Sequence, residues 1–160
     1  MKLYIARHAW AGSYGDPAWP DDSERPLEPG GAERYAKLVA RLAERGMAPE
    51  RVASSPLVRC VQTAEVLADQ TQHRPEIERL DALAPGVELD SLLEWTGRSQ
   101  ADAAWVGHNP DVEHLVALLI GQSGAVRFAK GAIASLLFEG PVRPGAGVLQ
   151  WHVTAKVLGV

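Results

Sequence analysis

Leu3-Tyr4-Ile5-Ala6, Arg51-Val52-Ala53-Ser54 and Ala103-Ala104-Trp105-Val106 are short β-type runs, and each stops abruptly at polar residues. The first ends at Arg7-His8, the second at Ser55-Pro56 and the third at Gly107-His108-Asn109-Pro110. Helical periodicity follows each of them. Tyr35, Leu38, Val39 and Leu42 predict a helix over 30–45 with Gly46 as its stop. Leu57, Val61, Ala64 and Leu67 carry a second helix ending near Asp69, opened by a Ser55 cap and a first-turn Pro56. Val112, Leu115, Val116, Leu119 and Ile120 carry another, with Asn109 as cap and Pro110 in the first turn. Between these lie a strand over Glu76–Leu80 and a short helix on Leu89, Leu92 and Leu93 that ends by Gly97; Ile133–Phe138 and Val148–Val153 read as two closing strands.

Strands alternating with helices imply an α/β fold: a three-layer α/β/α sandwich around a mostly parallel, mixed sheet, with ligands beyond the carboxyl ends of the strands. One stretch escapes this pattern. Trp10 to Gly31 holds four prolines, several glycines and the acids Asp16, Asp21 and Asp22, and reads as a long surface loop; such loops are usually functional.

At 160 residues the chain is expected to form one domain, 1–160. It has a single cysteine, Cys60, which disfavours a disulfide scaffold or a zinc module and suits a reducing cytoplasm. The net charge of −4 argues against nonspecific nucleic-acid binding. No run reaches about 18 apolar residues, and no apolar leader is visible, so neither membrane nor export is expected. Twelve of the sixteen cations are arginine, which supplies planar forks suited to phosphate or carboxylate; GC-rich coding would give the same bias.

The three polar junctions offer what phosphoryl transfer needs. That chemistry is mostly positioning and charge stabilisation of a near-dianion by Arg, His and helix N-termini. Arg7 and Arg59 are bidentate forks, His108 precedes a proline-started helix, and Ser55-Pro56 opens the helix that bears Arg59. His8 is a suitable nucleophile because neighbouring arginines oppose its protonation.

Four blocks lie in one order along the chain: Arg7-His8-Ala9, Arg25-Pro26-Leu27, the run from Ser54-Ser55-Pro56-Leu57-Val58-Arg59 through Cys60-Val61-Gln62-Thr63-Ala64, and Val106-Gly107-His108-Asn109-Pro110. As a set they resemble the histidine phosphatase superfamily (phosphoglycerate mutase-like), and within it the short SixA-like phosphohistidine phosphatases. The resemblance covers residues 3 to about 120. It implies that His8 becomes transiently phosphorylated while Arg7, Arg59 and His108 clamp the phosphoryl oxygens, with water regenerating the enzyme. Arg25 occupies a motif position that would touch the phosphate or the substrate. Asp81 is the acid nearest the position of the general acid in larger members, with Asp16, Asp21 and Asp22 as rivals. No cofactor and no metal are implied. Ala9 replaces the commoner glycine, and Glu28 stands where threonine often follows Leu27.

The expected substrate is a phosphorylated protein, such as a phosphotransfer domain carrying phosphohistidine, met by a monomeric enzyme with an open site. A small phosphorylated metabolite is the alternative within the same chemistry. A non-catalytic phospho-ligand binding module is a second class, disfavoured because it would not need His8 and His108. A divalent-metal site on His8, His108 and His114 is a third, disfavoured by the adjacent arginines. Cys60 reads as a small core residue, His73, His114 and His152 as surface or packing groups, Trp105 as core, and Trp10 and Trp19 as packing groups or walls of the site.

Overall fold

The computed structural model describes residues 1–160. Six strands form one sheet: β1 (Lys2–Arg7), β2 (Arg51–Ser54), β3 (Ile77–Arg79), β4 (Ala103–Gly107), β5 (Ile133–Leu137) and β6 (Val148–Val153). Their order across the sheet is β3-β2-β4-β1-β5-β6. The β3, β2, β4 and β1 strands pair in parallel, β5 runs antiparallel to β1, and β6 antiparallel to β5. Helices α1 (Pro29–Ala43), α2 (Val58–Gln70), α3 (Leu89–Gly97), α4 (Asp111–Ile120) and a short α5 (Ala155–Leu158) cover it. No helix is long and apolar enough to cross a membrane.

The three layers follow from the two-residue alternation of the central strands. Leu3, Ile5 and Trp105 point to one face, where Leu92 and Trp95 of α3 and Val112, Leu115, Val116 and Leu119 of α4 pack on them. Tyr4, Ala6, Ala104 and Val106 point to the other, against Tyr35, Leu38, Val39 and Leu42 of α1 and Cys60, Ala64 and Leu67 of α2. Burial on both faces explains why β1 and β4 read as unbroken apolar runs.

Two helix starts differ from expectation. The α2 helix begins at Val58, because Ser55-Pro56-Leu57 form an extended approach with Leu57 at the cap position. The α4 helix begins at Asp111 with Pro110 as its cap residue, and the Asn109 side chain is engaged elsewhere. Both helices therefore lack a side-chain cap, leaving their first N–H groups without that internal partner.

The long loop is ordered by its own contacts. Ala11 bridges Leu27, Gly12 N–H donates to the Pro26 carbonyl at 3.0 Å, and Leu27 N–H donates to the Gln62 side chain of α2 at 2.7 Å. Trp10 lies so close to the start of α1 that a Cβ on Gly31 would sit 2.6 Å from its carbonyl oxygen. Trp10 thus packs against α1, with the Arg34 guanidinium stacked over its ring at 4.3 Å.

Candidate active site

The carboxyl ends of β1, β2 and β4 lie side by side because these strands run parallel and in register: Arg7 is level with Gly107, and Ser54 with Val106. The chain leaving the strands is pinned across this edge. His8 N–H donates to the Gly107 carbonyl at 3.0 Å, and Ser55 N–H to the Val106 carbonyl at 2.9 Å. Residues a hundred positions apart thereby meet: the rings of His8 and His108 lie 5.5 Å apart between centroids, at 60°. Both are buried.

Arg59 enters from the first turn of α2 and is itself buried. Thr63, one turn later, fixes that helix to the chain just after β1: its hydroxyl donates to the Arg59 carbonyl at 2.6 Å and accepts the Ala9 N–H at 3.0 Å.

His8 Nδ1 lies 2.8 Å from the Ala9 carbonyl, so Nδ1 carries the proton and Nε2 keeps a free lone pair. Burial does most to push its pKa down to about 4; the bond to Ala9 opposes this, and the charges of Arg59, Arg7 and Arg25 lower it further. His108 is pushed down to about 3, by burial first and then by Arg59 and His8, with Asp22 opposing. Its Nε2 lies 2.8 Å from the Ser55 hydroxyl, which also accepts Leu57 N–H at 3.3 Å. The Cys60 thiol is 3.4 Å from the same nitrogen, and burial pushes it up to about 12. Cys60 is a core residue, as its sequence context suggests, but one that borders the site as an inert thiol.

Arg59, buried, and Arg7, half-buried, are both anchored at the tip. Arg7 Nη1 donates to the Phe128 carbonyl at 2.7 Å. Arg59 Nη1 donates to the Asp22 carbonyl at 2.9 Å, and Nη2 lies 3.2 Å from the Asp22 carboxylate. In both, the Nε–H is buried with no protein partner. Buried donors are nearly always satisfied, so these two unpartnered groups stand out, and a guanidinium is a donor suited to an oxyanion.

Arg25 borders the cluster. Its Nε donates to the Asp22 carboxylate at 2.8 Å and its Nη1 to the Gly12 carbonyl at 3.0 Å, and its charge reaches both histidines. Asp22, one of three loop acids that sequence does not separate, is thus the carboxylate that joins the site. Burial raises its pKa, but the Arg25 hydrogen bond and the charges of Arg59 and Arg25 outweigh that and hold it below the usual carboxylate range. Asp81 is not brought in: no hydrogen bond or ion pair joins it to these residues, and its exposed side chain lines a groove with Arg79, Ser91 and Glu94. His114 stands exposed on α4, and no group of three or more His, Cys, Asp or Glu is arranged to hold a metal ion. Trp19 lines a small hollow with Tyr14, Pro17 and Asp22 at the edge of the site.

The comparisons with known proteins agree with this geometry. Residues 3–104 match the model of the histidine phosphatase superfamily (branch 1). An uncharacterized protein of Picosynechococcus sp. is 36% identical over 158 residues, covering 95% of this chain and 90% of that one. Phosphohistidine phosphatase SixA of Escherichia coli is 29% identical over 160 residues, covering 96% and 94%. The solved structure of the protein histidine phosphatase SixA complexed with tungstate superposes with a TM-score of 0.85 at 28% identity over 99% of each chain. The chain belongs to the histidine phosphatase superfamily, branch 1, and is a phosphatase built on the SixA-like fold.

Proposed function

We propose that this phosphatase hydrolyses phosphohistidine, with His8 as the nucleophile, Arg7, Arg59 and His108 holding the phosphoryl oxygens, and Arg25 assisting at the rim. The His8 Nε2 lone pair attacks phosphorus and the bond from phosphorus to the substrate nitrogen breaks; the substrate ring, already protonated on its other nitrogen, takes the electron pair and departs as neutral imidazole. Water then attacks the phosphorylated His8, releasing orthophosphate and restoring the free imidazole. No step calls on a metal ion, and three arginines around His8 oppose one.

The observation that carries the reading is the state of the acids. Asp22, on Arg59, and Glu113, whose charge reaches Arg7, are both held below the usual carboxylate range, so neither keeps a proton to give at neutral pH. An alkoxide leaving group needs such a proton. A phosphohistidine ring does not, because its other nitrogen, with a pKa near that of histidine at about 6.5, takes its proton from solvent before cleavage and the ring then leaves as neutral imidazole. Tyr14, 82% exposed on the loop that bears Asp22 and Arg25, adds an apolar foothold for a folded partner such as a phosphotransfer domain.

The test compares kcat/KM for a phosphohistidine peptide with that for an alkyl phosphate of similar size. The expected preference is about a hundredfold or more for the P–N substrate. Equal rates would overturn the reading and favour a small phosphorylated metabolite, and no turnover of either would leave only a binding module.

The nucleophile's protonation gives a separate prediction. A depressed histidine pKa means that the denatured chain protonates first, so stability is lost as pH falls from about 6.5 toward about 4 for His8 and about 3 for His108, and is unaffected by either above that window. In an NMR titration the His8 ring signals should stay at their neutral positions from pH 7 down to about 5. A midpoint near about 6.5 would remove the neutral nucleophile.

A further inference from the structure

Arg7 is held at one point, the Phe128 carbonyl, and Phe128 lies in the irregular connection between α4 and β5. The Phe128 N–H donates to Glu113 Oε1 at 2.8 Å. Asn109 Nδ2 donates both to that same oxygen, at 3.0 Å, and to the Phe128 carbonyl, at 3.1 Å. One carboxylate oxygen of α4 therefore holds the Phe128 N–H and the Asn109 amide together, and Asn109 in turn holds the Phe128 carbonyl. The second oxygen, Oε2, meets Arg127 at 3.2 Å, but Arg127 is 87% exposed, so this pair contributes little.

We propose that Glu113 is a positioning residue for Arg7, acting through the Phe128 peptide and Asn109. The proposal rests on the reading that Arg7 grips the transferred phosphoryl group. A guanidinium is a rigid plane, so where Nη1 is anchored decides where the unpartnered Nε–H points. No strand or helix bonds the Phe128 carbonyl; Asn109 Nδ2 does so instead, and Glu113, four residues later on the helix that starts beside His108, holds both that amide and the Phe128 N–H. Without it the Phe128 N–H and the Asn109 amide lose their shared acceptor, Asn109 no longer holds the Phe128 carbonyl in place, and the Arg7 guanidinium anchored there shifts with it. An error of about 1 Å at such a donor weakens the grip on an oxyanion markedly.

Binding of inorganic tungstate to the full chain, measured by calorimetry, tests this. Glu113→Ala should weaken binding about tenfold with Arg7 intact, and less than about twofold in an Arg7→Lys background, which keeps a cation but not the fork. Glu113→Asp, which withdraws the carboxylate while keeping its charge, should show the same dependence and serves if the alanine variant fails to fold. Glu113→Gln keeps an acceptor oxygen and should stay within about threefold of the parent, and Arg127→Ala within about twofold. The Arg7 Nε–H resonance, assigned by its loss in Arg7→Lys, should shift in Glu113→Asp and hold its place in Glu113→Gln. Equal weakening in both backgrounds, or an Arg7 resonance indifferent to Glu113, overturns the proposal. Neither readout depends on whether the substrate is phosphohistidine, so failure here and failure of that reading are distinguishable.

Discussion

His8→Ala is expected to lower kcat/KM by roughly four orders of magnitude or more, and to abolish the covalent intermediate. The reason is the particular lone pair that the fold prepares. The Ala9 carbonyl occupies the Nδ1 proton at 2.8 Å, burial and three arginines keep the ring neutral, and the remaining nitrogen is the one free to attack. The protein with its natural sequence, mixed with a labelled phosphoramidate and quenched rapidly in denaturant, should carry acid-labile, base-stable label on His8. The variant should carry none, while still binding tungstate, because Arg7, Arg59 and His108 come from separate anchors that the substitution leaves in place. Label on another residue, or turnover by His8→Ala near the parent rate, would reject the covalent mechanism.

Much of this geometry was legible in the sequence because parallel strands do the assembling. Three apolar runs ending in Arg7-His8, Ser54-Ser55 and Gly107-His108 require only a shared direction and a common register to bring those ends together, and periodicity reports both strands and helices. Arg59 follows for the same reason, one helical turn beyond a junction. Less legible were features set by the path of irregular chain. Nothing in composition separates Asp22 from Asp16 or Asp21; only the folded loop, clasped by Ala11 and Leu27 and tied to Gln62, delivers one of them to Arg59. The Phe128 carbonyl left no trace in sequence, since any residue has one. The cap signals of Ser55 and Asn109 misled locally because both side chains face tertiary partners, His108 in one case and Glu113 with Phe128 in the other. Their hydrogen-bonding capacity was read correctly, but its direction was not.

Arg59→Ala should lower kcat/KM by about a thousandfold, the scale on which removing a charged donor from a developing oxyanion acts in a buried site. Arg59→Lys should not restore it. Arg59 uses Nη1 and Nη2 on the Asp22 carbonyl and carboxylate while its Nε–H stays buried and unpartnered, whereas a single ammonium on a flexible stem cannot hold the loop and present a fixed donor at once. The loss has two sources, the grip on the phosphoryl group and the tether on the loop, and Asp22→Asn probes the ionic part of the tether. That change removes the ion pairs of Asp22 to both Arg59 and Arg25 while keeping the guanidinium; the bond of Arg59 to the Asp22 carbonyl and that of Arg25 to the Gly12 carbonyl still hold the loop. If Arg59 acts on the transition state, Asp22→Asn should cost less than about tenfold, because the cation survives and has lost a competitor. Should Asp22→Asn prove as damaging as Arg59→Ala, the guanidinium would be a strut for the loop and the phosphoryl group would have to be gripped by other groups.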